Sequence, residues 1–291
     1  AIMTSAIAGK RGSTIDVPIP SAVAATDVTP AAYAPNAGSL VPDTVPVALT
    51  NWKEAAFDLN DSEREQVMDG VIPMQAAEAI KAIVNAVDDS YLSLYKRFYG
   101  TQGTAGTTPF GSGVGIVDAT GLRKVLNKQL APMDNRHCIM DPDAEANALA
   151  LQQFADSQFS GSVAAMRDGE LNRKLGLEWW MNQNVKTHTS AAFSAGAVTV
   201  NGVNATGATS VSIAKATNAH QLVEGDILII NGRNYVVTAD TNLIVGNTSV
   251  PIYPALVAAT AGGETVTKIG THVANIFFHR DAFAFANRPL V

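Results

Sequence analysis

The chain has 291 residues with 20 basic and 26 acidic side chains, a net charge of −6, and 16% charged against 47% apolar residues. Its length allows one large domain or two smaller ones, with material for a substantial core. The mild acidity makes the chain a poor candidate for a dedicated nucleic-acid binder, which needs a concentrated positive field. So little charge beside so much apolar surface predicts faces that are covered in the working state. The single cysteine, Cys138, excludes an internal disulfide and a disulfide-built secreted scaffold. No run of about 20 strongly apolar residues predicts a transmembrane helix. The opening Ala1-Ile-Met-Thr-Ser has neither the plan of a signal peptide nor an initiator methionine, which fits a processed chain or the ordered part of a longer one.

In chain order, Ser13 to Val17 alternates as a strand does and then meets Pro18 and Pro20, as an exposed or edge strand would. Prolines recur at Pro30, Pro35, Pro42 and Pro46 in a stretch with few charges, which forbids a helix and leaves little to bury. Val45 to Phe57 is again expected to be extended. The reading is two strands joined by an irregular tip, an arm that packs on something else. Ser62 with Glu65 has capping-box spacing, predicting a short helix that breaks near Gly70. Pro73 to Phe98 follows as a helix, with Ile72, Ala76, Ile80, Ile83, Val87, Tyr91, Leu94 and Phe98 on one face. About 25 residues make a rod roughly 38 Å long. Its Ile80–Leu94 side is expected to pack on a sheet of its own subunit. The Glu78–Asp89 side, including Asp88, is expected to face outward. Ile83→Asp should then abolish folding, and charge reversal at Asp88 should alter assembly.

Thr101 to Gly115 is a glycine, threonine and serine loop. Gly111-Ser-Gly113-Val-Gly115 runs into a strand-like Ile116-Val117, not a lysine and a helix start, so it lacks the context of a phosphate cradle. A helix capped at Asp118 or Thr120 is predicted to run to about Leu130, with Leu122, Val125, Leu126 and Leu130 on one face. Arg136 to Met140 reads as a buried strand and Pro142 to Gln153 as a helix. A flexible Ser157–Gly161 stretch, a small helix near Met166–Leu175 and Leu177–Asn184 complete a compact mixed α/β unit. From about Ala192 the texture turns to valine, threonine and glycine. Strands are predicted at Val198–Val200, Val211–Ile213, Ile227–Ile230, Tyr235–Val237 and Val266–Ile269, with tight hairpins at Asn201-Gly202 and Asn231-Gly232 and a turn at Glu224-Gly225-Asp226. That predicts a small β-barrel or sandwich. After it, Asn275 to Leu290 is apolar and aromatic, as though re-entering the earlier core, so the β-unit looks inserted.

No residue set carries a convincing active site. The histidines at 137, 188, 220, 272 and 279 show no zinc-ligand spacing. His137 and Cys138 point to opposite faces of a strand. Asp141, Asp143 and Glu145 open like a calcium loop, but Ala146 and Gln152 stand where glycine and glutamate are needed. These acids better suit the positive end of the helix starting at Pro142. Glu178 with Asp168 or Glu170 offers a carboxylate pair without a cleft. The expectation is no enzyme, no cofactor and no metal.

Two stretches carry a family resemblance: Gly176-Leu-Glu-Trp-Trp-Met-Asn-Gln-Asn-Val-Lys-Thr-His-Thr189, and Asn275-Ile-Phe-Phe-His-Arg-Asp-Ala-Phe-Ala-Phe-Ala-Asn-Arg-Pro-Leu290. Both resemble signatures of major capsid (coat) proteins of tailed bacteriophages, specifically the short-tailed-phage group with an inserted β-barrel. Gly225-Asp226 leading into Ile227–Gly232 resembles the turn and strand of that insertion. Phe57-Asp-Leu, the acidic helix and the rod follow the same order of parts.

The resemblance implies an α+β chain with the Hong Kong 97 capsid fold. Residues 1–60 would be the extended-loop hairpin arm, 61–115 the peripheral domain with its spine helix and 116–192 the axial domain. Residues 193–270 would be the inserted β-barrel, and 271–291 the return to the capsid core. The family's N-terminal arm and later strands have no counterpart in these residues. The resemblance further implies self-assembly into pentamers and hexamers of an icosahedral head in the virion, put together in the bacterial host cytoplasm and enclosing double-stranded DNA without sequence-specific binding. Its partners would be scaffolding and portal proteins, with room for a decoration protein and no membrane. Subunit contacts are expected at Val17, Pro18, Pro20, Pro30, Pro35, Pro42 and Val47 of the arm, at insertion turns near Asn204, Asn218 and Asn242, and at Asp88. Trp179, Trp180, Phe277 and Phe278 are expected in the intrasubunit core. The alternatives are a β-rich adhesion or carbohydrate-binding protein using 193–270, and a hydrolase acting near His137.

Overall fold

A computed structural model describes residues 2–3, 14–19, 25, 27, 43–51, 53–58, 65, 71–111, 115–161, 163–190, 193, 198–216 and 220–286. The expectations for Pro20, Pro30, Pro35, Pro42 and Asn218 lie outside these residues. So does the helix proposed from Ser62, apart from Glu65, which is helical. The chain divides into two units, one of Ala1–Glu54 with Arg280–Val291 and one of Ala55–His279.

In the first unit, β1 (Ile2–Met3) precedes an antiparallel ribbon of β2 (Thr14–Ile19) and β3 (Asp43–Ala48), with Thr14 opposite Ala48 and Ile19 opposite Asp43. Pro18 and Pro46 fit because both strands of a ribbon are edges, where a missing donor can face outward. Two strands alone have little stability in water.

The second unit begins with α1 (Val71–Leu92), which tightens into a 3-10 turn over Ser93–Arg97 and stops where Phe98 turns extended. The rod is present, but its predicted packing is not. Ile80 is 63% exposed, Ile83 38% and Leu94 42%, whereas Leu92 is 4% exposed. At about 1.5 Å per residue the helix outruns what it packs against. Ile80, Ile83 and Val84 therefore meet solvent, while the half-buried positions among the described residues are Ala76 and Ala79 and then a cluster from Ala86 onward. Lys186 pairs with Asp89 at the surface, where the Asp89 side chain stays 54% exposed.

The second helix, α2 (Gly115–Lys128), starts three residues before its expected cap, so Ile116 and Val117 are its first turn and not a strand. Gly115 is needed there because a Cβ would stand 2.4 Å from Leu151 Cδ2. Asp118 accepts a hydrogen bond from the Phe110 amide at 3.2 Å, fixing the loop on the helix start. Leu122 and Leu126 are buried. Leu130 lies beyond the helix with φ 58° and is 90% exposed, not part of the buried face.

Strand β4 (Arg136–Met140) alternates buried and half-buried positions as expected. The following helical stretch breaks at extended Leu151 into α3 (Pro142–Ala150) and α4 (Gln152–Ala155). Ser157–Ser160, expected to be flexible, forms the single turn α5. The small helix is only α6 (Ala164–Asp168), because Gly169 takes a left-handed φ of 73° and ends it. Next come β5 (Arg173–Lys174), β6 (Leu177–Met181) and β7 (Thr187–His188).

The β-rich stretch contains β8 (Val198–Val200), β9 (Ser210–Lys215), β10 (His220–Leu222), β11 (Ile227–Ile230), β12 (Arg233–Val237), β13 (Thr241–Leu243), β14 (Gly246–Tyr253) and β15 (Val266–Lys268). Six of these form one sheet in the order β15-β11-β12-β14-β9-β8, and β10 with β13 makes a ribbon. The sheet nearly closes on itself. Thr199 bridges Thr265, and the Val200 amide donates to the Glu264 carbonyl at 2.8 Å. Val200, Val211, Ile213, Leu228 and Val250 fill its core.

Asn231-Gly232 is the tight hairpin expected, with both φ positive (50° and 71°) between paired Ile230 and Arg233. Asn201-Gly202 is not. Its loop runs on to β9 because Asn204 ties it to Thr260, through Nδ2 to Oγ1 at 2.9 Å. Three strands, β10, β13 and β14, were not anticipated.

After β15 come β16 (His272–Val273) and β17 (Ile276–His279). Strand β16 pairs with β7, His272 opposite His188. Strand β17 joins a sheet ordered β17-β4-β6-β5, in which β4 and β6 run parallel. That sheet packs Cys138, Met140, Leu177 and Trp179 against Leu122 and Phe154 of the helices. The last strand, β18 (Ala284–Phe285), pairs in parallel with β1 in the first unit.

Candidate functional site

Of the expected contact residues, Val17 is buried opposite Val45, Pro18 is exposed, and Val47 is half-buried opposite Ile15. Asp88 is half-buried. Asn204 is committed to its own loop, accepting from the Ser212 amide at 3.0 Å. Asn242 is exposed, but it lies in β13 opposite Gln221 and not in a turn. Of the four aromatics assigned to the core, Trp179 is 4% exposed and Trp180 59%. Adjacent residues of a strand face opposite sides, and only Trp179 faces the helices. Phe277 packs on that core and Phe278 is half-buried.

The densest polar constellation lies where the closed sheet meets the α/β part, and the spacing of its residues in the chain hides it. The turn from Val223 to Asp226 lies against the 3-10 turn that ends the rod. Gly225 has φ 97°, and a Cβ there would stand 3.2 Å from Lys96 Cα. Only glycine allows both that conformation and that approach. Glu224 receives Arg97 at 2.9 Å, with Lys96 Nζ at 3.8 Å.

Behind this turn Asp226 is fully buried. Its Oδ1 is hydrogen-bonded to His188 Nε2 at 3.0 Å and accepts from Ser190 Oγ. Its Oδ2 accepts from the Val223 amide at 2.9 Å and faces Lys268 Nζ at 3.5 Å. His188 Nδ1 is hydrogen-bonded to the Tyr95 hydroxyl at 3.0 Å. A carboxylate only accepts, so neutral His188 carries its proton on Nε2 and Tyr95 donates to Nδ1.

Burial pushes Asp226 upward, but the hydrogen bonds from His188, Ser190 and Val223 and the Lys268 charge outweigh it and hold the carboxyl below its ordinary range. Burial lowers Lys268 despite Asp226. Burial, and then the Asp226 and Glu224 charges, raise Tyr95, which keeps it a phenol and unsuited to act as a nucleophile.

His137 Nδ1 lies 3.1 Å from Glu178 across the parallel strands. Burial pushes the Cys138 thiol up to about 12, so thiolate chemistry at neutral pH is unsupported. A cavity of about 420 Å³ opens beside the 100–110 loop, lined also by Tyr95, Asp118 and Asp141. Among the described residues no three potential ligands converge on a metal position, and no helix is long and apolar enough to cross a membrane.

No protein-family model matches the chain, and no curated protein matches its sequence. The fold is similar to solved structures of phage proteins. One, described as Mycobacterium phage Che8, is 12% identical with a TM-score of 0.46, covering 91% of this chain and 83% of that one. The capsid structure of the cyanophage P-SCSP1u is 12% identical with a TM-score of 0.42, covering 94% and 84%. The asymmetric unit of the bacteriophage PhiM1 mature capsid is 10% identical with a TM-score of 0.42, covering 92% and 82%.

Proposed function

We propose that this chain is a major capsid protein, a structural tile with the Hong Kong 97 fold and an inserted β-barrel. Copies would assemble into pentamers and hexamers of an icosahedral head around double-stranded DNA. The observation that carries this reading is the junction of the two motifs behind the family resemblance. Gly176–Thr189 contains β6 and β7, and Asn275–Leu290 begins with β17. The chain departs after β7, builds a nearly closed sheet with its own core, and returns by β16 beside β7 and β17 beside β4. An insertion between those motifs is what the resemblance implies.

The part boundaries proposed from it are 1–60 for the arm, 61–115 for the peripheral part, 116–192 for the axial part, 193–270 for the insertion and 271–291 for the return. The arm ribbon, with Ile19 43% and Val45 45% exposed, supports a segment that is completed by a neighbouring subunit. The contact residues proposed with it are Val17, Pro18 and Val47 of the arm, of which Pro18 is exposed and Val17 is covered within the ribbon, with Asn242 and Asp88 as further contacts. Scaffolding and portal proteins would be assembly partners, and the virion its location.

The glycan-binding alternative lacks an aromatic platform. Within 193–270 the aromatics are Phe193, which packs against the β core, Tyr235, which is buried, and Tyr253, which is 54% exposed and stacks edge-on to Tyr99 at 5.8 Å. Deleting 195–270 behind a short linker tests the insertion. A soluble α/β remainder with native-like circular dichroism is expected, and loss of all helical signal would count against an independent module.

A further inference from the structure

Beside the joint where the closed sheet meets the α/β part lies the cavity of about 420 Å³, and two residues at its wall, Asp141 and Asn275, each carry a buried polar atom without a hydrogen-bond partner. We propose that this cavity is a binding site for a small ring compound bearing an uncharged amide edge, held between Asp141 and Asn275. The site lies within one chain, goes beyond the shell reading and does not depend on it.

Asp141 follows β4 at the N-cap of α3 and is 9% exposed. An aspartate at that position ordinarily accepts from an amide of the first helical turn, but this side chain makes no capping bond. Its Oδ1 is buried and, among the described residues, unpartnered. The Asp141 amide donates to Asn275 Oδ1 at 2.7 Å, which settles which end of the Asn275 amide is the oxygen. Nδ2 is then the other end, and it too is buried without a partner. A carboxylate oxygen and an amide donor left unpaired away from water are each costly, and a folded chain rarely keeps them without a use. The bond between the two residues sets them side by side, an acceptor and a donor on the wall of one cavity.

The rest of the lining specifies the occupant's chemistry. Tyr95, Phe98, Phe110 and Phe277 supply aromatic walls suited to a ring. An apolar cavity of about 150 Å³ already takes benzene, so a substituted ring has room here. Asp118, Asp141 and Asp143 line the cavity and, among the described residues, no lysine or arginine does, which disfavours an anion. A cation would satisfy Asp141 but would meet Asn275 Nδ2 donor to donor. An amide answers both, its N–H donating to Asp141 Oδ1 and its carbonyl accepting from Asn275 Nδ2. The loop that forms the opposite wall is pinned in place. The Phe110 amide donates to Asp118 at 3.2 Å, Asn147 Nδ2 to the Pro109 carbonyl at 3.0 Å and Asn234 Nδ2 to Thr101 Oγ1 at 2.7 Å. A wall already held needs little ordering when a ligand enters.

The test is titration of the full chain with benzamide, toluene, benzoate and benzylammonium, followed through the Asn275 side-chain amide resonances by NMR. Benzamide should bind saturably and at least about tenfold more tightly than the other three, because each of those leaves Asp141, Asn275 or both unpaired. Asp141→Ala should weaken benzamide by about tenfold or more, while the denaturant midpoint stays unchanged or rises, since the carboxylate caps nothing. Asn275→Asp keeps an oxygen to receive the Asp141 amide and exchanges the donor for an acceptor. It should therefore reverse the preference, benzylammonium over benzamide. Equal binding of toluene and benzamide, no saturation with benzamide, or undiminished benzamide binding in Asp141→Ala would overturn the site. The four ligands are compared on the unaltered chain, so the site can be refuted even where a variant fails to fold.

Discussion

Neighbouring residues in this chain have opposite fates, and the pleat decides which. Trp179 donates its indole N–H to the Lys174 carbonyl at 3.0 Å and packs between Phe110 and Phe154, at 5.6 and 5.3 Å. Trp179→Ala should cost about 3–5 kcal/mol in denaturant unfolding, because it leaves a cavity and an unpaired carbonyl. Trp180→Ala should change stability by no more than ~0.5 kcal/mol. An equal loss in both would contradict the assignment of faces. Cys138 offers a chemical check. With its thiol pushed up to about 12 and buried, it should resist alkylation in the native chain at pH 8 and react only on unfolding, as mass spectrometry would report. At Gly225, substitution by alanine should destabilise by about 1–3 kcal/mol, since neither the positive φ nor the Lys96 backbone can give way.

Among the elements, α1 shows how far a sequence pattern reaches. Apolar spacing correctly located the rod, but periodicity reports which side is apolar and not what covers it. With Ile83 38% exposed, Ile83→Asp should shift folding stability by at most about 1 kcal/mol. Leu92→Ala, at a position 4% exposed, should cost about 2–5 kcal/mol. Urea titration separates the two, and an unfolded Ile83→Asp chain would restore the original expectation that this side packs internally.

The same limit explains the other differences. Asn231-Gly232 was legible because two residues with positive φ specify a hairpin locally, whereas the Asn201-Gly202 loop is set by Thr260, far along the chain. Ile116-Val117 read as a strand because apolar pairs carry no period, whereas in the fold they form the first turn of α2, with Gly115 packed closely on Leu151. The joint was the least legible part. Gly225-Asp226 stood out as a turn, but its partners Tyr95, His188, Ser190 and Lys268 are scattered over 174 residues and converge only through the return of the chain.

For the whole molecule, the low charge content, an arm that cannot stand alone and an exposed helical stripe are what the proposed shell subunit requires, surfaces that neighbouring copies would complete. Folding and assembly should therefore respond to different residues, the first to Trp179 and Leu92, the second to the arm and to Asp88. Sedimentation and negative-stain imaging of the chain expressed with a scaffolding protein test this most directly. Closed shells, or rings of five and six subunits, are the predicted result. A folded chain that stays monomeric under every assembly condition would contradict it.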